Sequence, residues 1–166
     1  MESTPEALAK LGEHFTANGM KPPLEVMQCL AALIDDADVT QAVASYTQEG
    51  EPKSPDERVT WECLALVNGS VIGVRASRPG RDWFWGAPAW TVKGKATVFG
   101  DLIPLSEVAG CRLIGHEGES GETEWLTRWQ LQLKIGDSLA IPWPVREWNG
   151  RVRHEELARA IAKNLR

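Results

Sequence analysis

A stretch near the C-terminal end of the chain alternates two kinds of side chain, with Leu126 as the exception. Every second position of residues 125–135 carries a side chain suited to burial: Trp125, Thr127, Trp129, Leu131, Leu133 and Ile135. The positions between them include Arg128, Gln130, Gln132 and Lys134. Because successive side chains of a strand point to opposite faces, this pattern predicts a strand with one face buried and one in water. Strands of this kind are typical of antiparallel sheets.

Further segments of the same part of the chain have the composition of strands. They are residues 59–67, 71–76, 90–99, 107–114 and 138–141. Asn68-Gly69-Ser70 predicts a tight hairpin turn between the first two. No helical stretch separates the strands, so the sheet is expected to be antiparallel and βαβ folds are excluded. A helix over 153–165, with Leu157, Ile161 and Leu165 on its buried stripe, should close the structure.

Residues 1–47 predict a helical N-terminal segment. Thr4 can cap a helix that begins at Pro5, and a second helix runs from Leu24 to Ile34. The pattern predicts either a third helix that starts at Asp38, with Val39, Val43 and Tyr46 on one face, or a continuation of the second helix. Residues 48–58, with Gly50, Pro52 and Pro55, are interpreted as a linker to a second unit over residues 59–166.

Charge is distributed unevenly between these two parts. Residues 1–58 hold 4 basic and 11 acidic side chains (net −7), whereas residues 59–166 hold 14 basic and 12 acidic (net +2). The overall charge of −5 argues against general nucleic-acid binding. The N-terminus has no signal-peptide pattern, no segment reaches the ~20 apolar residues of a membrane span, and the three cysteines are widely spaced. We therefore expect a cytoplasmic protein with buried thiols.

The element order of the second unit, the segment Leu105 to Leu113 and the closing segment His154 to Ala162 together resemble a known family. On these features the second unit resembles the pleckstrin-homology (PH) superfold of bacterial PH-like domains. The resemblance implies an α+β fold in which a PH-like antiparallel β-barrel or sandwich of six or seven strands follows the N-terminal helices and is closed by a C-terminal helix. Lipid-binding PH domains hold inositol phosphates with a basic loop between the first two strands. Here that position is the short, uncharged Asn68-Gly69-Ser70, so phosphoinositide binding is not expected.

The loop over residues 78–90 interleaves arginines and aromatic residues. We expect its candidate binding residues to be Arg78, Arg81, Trp83, Phe84, Trp85 and Trp90. Trp and Arg often anchor interfaces, because they bury large areas and carry directional donors. The loop is either a docking surface or a plug whose tryptophans fold back into the end of the barrel. Arg146 and Trp148, ahead of the last helix, form a second cluster that would extend the same surface if the two lie close together.

Known catalytic motifs are missing from the sequence: we find neither a nucleophile elbow, nor a phosphate loop, nor a His-Glu-x-x-His zinc motif. His154, near the start of the last helix, is expected on the surface. We therefore expect no catalytic residues, metal or cofactor, and a non-enzymatic intracellular protein-interaction or regulatory module that binds through the loop. Its expected partner is another protein or a second copy of the chain (a homodimer), with no specific nucleic acid and no membrane. The alternatives are a small-ligand-binding barrel with an aromatic-lined cavity, an enzyme, or a peripheral membrane protein.

Overall fold

A computed structural model describes residues 4–35, 38–88, 94–117, 125–136, 138–142 and 148–166. Its helices are α1 (Pro5–Glu13), α2 (Leu24–Ile34) and α3 (Trp148–Asn164), with a short 3-10 helix at Leu105–Glu107. The strands are β1 (Val39–Glu49), β2 (Arg58–Val67), β3 (Ser70–Pro79), β4 (Thr97–Pro104), β5 (Val108–Glu117), β6 (Trp125–Leu133) and β7 (Ser138–Ala140). The fold is therefore α+β, with N-terminal helices, antiparallel sheets and a C-terminal helix, as the sequence predicts.

The strands form two antiparallel sheets rather than one barrel. The first has the order β1-β2-β3-β4 and the second the order β5-β6-β7. Among the described strands no pairing joins the two sheets, so the predicted closure into a barrel is not observed. A sandwich is the better description, because the two sheets share a core without sharing hydrogen bonds.

The predicted third helix is wrong, because residues 39–49 form β1. This strand pairs with β2 from Val39↔Val67 to Glu49↔Arg58. The helical spacing of Val39, Val43 and Tyr46 coincides with a strand pattern, in which Ala42 and Ala44 face one core and Val43 faces another. Strand pairing then decides between the two periodicities, since β1 gains backbone hydrogen bonds to β2 along most of its length. The predicted linker 48–58 accordingly comprises the end of β1, a hairpin loop and the first residue of β2.

Other predicted boundaries shift by several residues. The strand predicted over 90–99 is observed as β4 at residues 97–104, while 89–93 lie outside the described residues. The last helix begins at Trp148 rather than Arg153. Capping of α1 agrees with the prediction, because the Thr4 hydroxyl accepts from the Ala7 N–H and Pro5 is the first helical residue.

Two cores lie on opposite faces of the four-stranded sheet. The first contains Trp61, Ala65 and Val74 from the sheet, together with Phe15 and Leu30 from the N-terminal region. Its small residues let α2 approach closely: a Cβ added at Gly100 of β4 would lie 2.7 Å from Cys29 Sγ. The second core joins the other sheet face to the three-stranded sheet and α3. The four-stranded sheet is thus the central layer of the fold.

Candidate functional site

The loop predicted as the binding surface packs back onto the first core. Trp83 is only 4% exposed, and its backbone carbonyl accepts a 2.6 Å hydrogen bond from the buried Trp61 Nε1–H. Phe84 and Trp85 are half-buried, and the Trp85 N–H donates to the Lys21 carbonyl at 3.0 Å. The loop is therefore fastened both to β2 and to the connection between α1 and α2.

Arg78 is a residue of β3 rather than of the loop, and its side chain is 10% exposed. Its Nη2 donates to the Gly94 carbonyl at 2.8 Å, and its guanidinium lies 5.9 Å from the centre of the Trp83 ring. The Glu25 carboxylate of α2 lies 3.9 Å from Nη1. A buried guanidinium needs such partners, because an unpaired charge in the core is costly. Arg78 thus connects β3, α2, Gly94 and Trp83 inside the fold.

Arg81 forms an ion pair with a buried carboxylate. Its Nε lies 2.6 Å from Glu57 Oε1, and the Lys53 N–H donates to Glu57 Oε2 at 3.2 Å. This pair anchors the start of the loop to the β1–β2 hairpin. Trp90 and Arg146 lie outside the described residues, and Trp148 is the first residue of α3. Of the predicted site residues, Arg78 and Trp83 contact each other, and both are buried inside the fold.

A different surface lies open on the four-stranded sheet, on the face opposite α1 and α2. At one end of this face Val43, Leu64 and Val71 pack beneath the second sheet and α3. Side chains with the same orientation become polar further along the strands. They form an open groove of about 470 Å³, which we call the sheet groove. It is lined by Thr47, Glu49, Arg58, Thr60, Glu62, Arg75, Ser77, Thr97 and Phe99.

Strand register arranges the groove in rows that run across the sheet. One row places a hydroxyl from each strand side by side: Thr47, Thr60, Ser77 and Thr97. Since neighbouring strands lie about 4.8 Å apart, this row presents donors and acceptors over about 14 Å. The next row places Ser45, Glu62, Arg75 and Phe99 side by side.

The charges of the groove oppose one another across the strands. Arg75 Nε lies 3.5 Å from Glu62 Oε1, and the Ser45 hydroxyl donates to Glu62 Oε2 at 3.4 Å. Glu49 and Arg58 are cross-strand neighbours in a third row, on the other side of the row of hydroxyls. Phe99 is 67% exposed at the groove margin. The groove thus combines balanced charge, hydroxyl groups and one aromatic surface.

Sequence reasoning missed this site, although a signal for it was present. Thr60 and Glu62 alternate with Val59, Trp61 and Cys63 in β2, which marks a polar strand face. Alternation alone does not show which polar faces of separate strands become neighbours. That depends on the register of the four strands and on where the second sheet stops covering them.

Burial shifts the pKa values of several titratable groups outside the groove. Burial raises the pKa of the Cys63 thiol, and burial also raises the pKa values of Cys29 and Cys111. His154 is fully buried, which corrects the expectation of a surface position. Its Nε2 accepts from the Trp129 N–H at 3.1 Å, and Nδ1 lies 2.7 Å from the Pro142 carbonyl, so Nδ1 carries the proton. Burial lowers the His154 pKa, and the ring is neutral.

Comparison with protein-family models, with curated proteins and with solved structures gives no match. Within the described ranges, no helix has the length and apolarity that crossing a bilayer requires. The part of the chain that the structure describes also holds no group of three or more His, Cys, Asp or Glu side chains arranged to bind a metal ion.

Proposed function

We propose that this chain is a non-enzymatic protein-interaction or regulatory module whose binding surface is the sheet groove. The observation that carries the proposal is an open groove of about 470 Å³, built across four paired strands and lined by donors and acceptors. Side chains held on a sheet keep their relative positions, so the surface is organised before a partner arrives.

The internal use of the predicted loop supports this choice of surface. Arg78 and Trp83 contact each other and the core, and Arg81 neutralises the buried Glu57 carboxylate. A partner that engaged these groups would have to break contacts that hold the loop in place. A partner at the groove would instead exchange surface contacts such as Arg75–Glu62.

Groove chemistry favours an extended polypeptide segment as the ligand. Backbone amides and carbonyls match a row of hydroxyls, since both offer donors and acceptors. Arg75 and Glu62 can each exchange part of their mutual contact for an oppositely charged side chain of the partner. Phe99 offers an apolar contact at the margin. Because the groove charges balance, we expect recognition of a polar segment with mixed charge rather than a strongly acidic or basic one.

The state of the reactive groups supports a non-enzymatic role. The Cys63 thiol is buried and protonated, and both ring nitrogens of His154 are occupied by backbone groups. Neither can serve as a nucleophile or a general base in this arrangement.

Element order supports the PH-like interpretation as part of this proposal. A four-stranded and a three-stranded antiparallel sheet are followed by one helix that packs on both. In this interpretation the PH-like unit includes β1, which pairs with β2. PH-like folds host many roles, so the proposal rests on the groove rather than on the fold. We further propose a cytoplasmic location, because all three cysteines are free thiols.

The proposal is tested with a displayed library of random peptides selected against the full chain. Selected peptides are titrated by fluorescence anisotropy against the wild type, Arg75→Glu, and the matched control Arg112→Glu, which reverses an exposed arginine of the other sheet. We expect Arg75→Glu to weaken binding about tenfold or more and Arg112→Glu to leave it unchanged. Circular dichroism and thermal melts confirm that each variant is folded.

Two outcomes contradict the proposal. In the first, selection yields no peptide whose binding depends on Arg75. In the second, binding is lost in Trp85→Ala while Arg75→Glu binds normally. The second result would return the binding surface to the loop.

A further inference from the structure

One row of the sheet groove carries three side chains of different chemistry. Strand register places Glu62 of β2 beside Arg75 of β3, and Arg75 beside Phe99 of β4. A carboxylate, a guanidinium and an exposed phenyl ring thus follow one another across the sheet, on strands about 4.8 Å apart. Each of the three attracts a different kind of side chain, so the row can distinguish the order of groups on a ligand.

The two charged groups of this row are held in place, yet much of each faces solvent. The Glu62 carboxylate accepts from the hydroxyl of the buried Ser45 at 3.4 Å and lies 3.5 Å from Arg75 Nε. Within the described residues, Nη1 and Nη2 of Arg75 donate no hydrogen bond. The side chains of Arg75 and Glu62 are 74% and 43% exposed. An ion pair this exposed contributes little stability, so a ligand can replace part of it at low cost.

A wall beside this row favours a ligand that crosses the strands. In the adjacent row, Leu64 of β2 is buried, and a Cβ added at Gly73 of β3 would lie 3.9 Å from Leu139 Cδ2 of β7. A segment that ran along β2 and β3 would therefore meet the second sheet just beyond the charged row. A segment that crosses the strands passes beside this wall and leaves the groove over β4, where Phe99 is exposed.

We propose, on the basis of the function proposed above, that the ligand of the sheet groove is an extended segment that crosses the strands. It carries a basic, an acidic and an apolar side chain in that order from β2 to β4. The basic group meets Glu62, the acidic group meets the terminal nitrogens of Arg75, and the apolar group meets the ring of Phe99. Asp101, exposed on the same face of β4, repels an acidic side chain from the Phe99 end.

The spacing of an extended segment suits this row. Side chains on one face of such a segment, two residues apart, are separated by about 7 Å, whereas neighbouring strands are about 4.8 Å apart. The long side chains of Arg75 and Glu62, together with those of the ligand, cover this difference. The three groups of the ligand therefore belong at every second position.

A complete set of synthetic peptides tests the order of the groups. Each labelled peptide has three variable positions separated by serines, and the set contains every combination of lysine, glutamate and leucine at these positions. Fluorescence anisotropy with the full chain measures each dissociation constant. We expect the tightest binding when glutamate lies between lysine and leucine, in either chain direction. Exchange of lysine and glutamate should raise the dissociation constant about tenfold.

Variants of the row show which groups distinguish the order. The double variant Glu62→Arg, Arg75→Glu exchanges the two charges of the groove, so it should prefer lysine between glutamate and leucine. Phe99→Ser should keep the wild-type charge order and lose the preference for leucine. The matched control Glu107→Arg, Arg112→Glu exchanges two exposed charges outside the groove and should behave as the wild type. Circular dichroism confirms that each variant is folded.

Equal affinity of the wild type for both charge orders overturns this proposal, and so does a double variant that keeps the wild-type preference. If none of these peptides binds, while peptides from the random library bind in a manner that depends on Arg75, the ligand class is wrong and the proposed function stands. If no peptide of either set depends on Arg75, the proposed function fails as well.

Discussion

Replacement of Trp83 by alanine separates a structural role of the loop from a binding role. Trp83 is buried against the first core, and the Arg78 guanidinium covers its ring. Its Nε1–H has no acceptor among the described residues, so alanine removes packing and the cation–π contact but no side-chain hydrogen bond. The backbone acceptor for Trp61 Nε1 remains in the chain.

The magnitude follows from the area that the indole buries. A buried tryptophan removes roughly 150–250 Å² from water, which at about 25 cal/mol per Å² corresponds to about 4–6 kcal/mol. Large-to-small substitutions of this kind cost about 3–5 kcal/mol in practice. We therefore expect Trp83→Ala to lower the free energy of unfolding by about 4 kcal/mol. For a chain of this size, that corresponds to a fall in Tm of about 8–16 °C.

Urea unfolding, followed by tryptophan fluorescence and circular dichroism, measures this loss. Trp83→Phe keeps most of the packing and should cost less than half as much. Trp85→Ala, at a half-buried position, should also cost less than Trp83→Ala. If Trp83→Ala unfolds with the same midpoint and slope as the wild type, the indole does not stabilise the core and our structural assignment of the loop is wrong.

Three further predictions concern the interior. The free energy of unfolding should decrease as the pH falls below about 6.5, because burial lowers the folded-state pKa of His154 and the unfolded chain binds the proton first. Urea unfolding from about pH 7.5 to 5 should show this loss in the wild type and a smaller loss in His154→Gln. An equal dependence of the free energy of unfolding on pH in the two proteins would contradict the prediction. Gly100→Ala should lower the free energy of unfolding by about 1–3 kcal/mol, because the new Cβ would lie 2.7 Å from Cys29 Sγ and 2.8 Å from Leu33 Cδ1; an unchanged denaturation midpoint would show that α2 can move away. Cys63 should resist a thiol reagent in the folded protein and react after unfolding, because burial raises its pKa. Rapid labelling of Cys63 in the native chain, located by mass spectrometry, would show that this thiol is not buried.

Local patterns in the sequence determined much of the secondary structure. The cap at Thr4, the apolar spacing of α2 and the hairpin turn at Asn68-Gly69 all specify their elements through neighbouring residues. The absence of helical segments between the strands likewise indicated antiparallel pairing, which both sheets show. Such features depend on interactions between residues close together in the chain, so they can be inferred without the fold.

Contacts between distant parts of the chain determine the structure where the local sequence pattern is compatible with more than one element. Residues 39–49 are compatible with a helix by spacing, and they form a strand because β2 offers a complete partner. His154 is polar, yet it is buried because the Trp129 N–H and the Pro142 carbonyl satisfy both of its nitrogens. Neither partner can be identified before the chain is folded.

The candidate binding surface likewise depends partly on local sequence and partly on long-range contacts. Residue types alone show that the 78–90 segment combines arginines with large aromatic residues, and that polar residues alternate along the strands. Packing places Trp83 and Arg78 inside the molecule, and strand register brings Thr47, Thr60, Ser77 and Thr97 into one row. A side chain's chemistry is a property of its residue, whereas its burial and its neighbours across a sheet are set by strand register and by the layers packed above it.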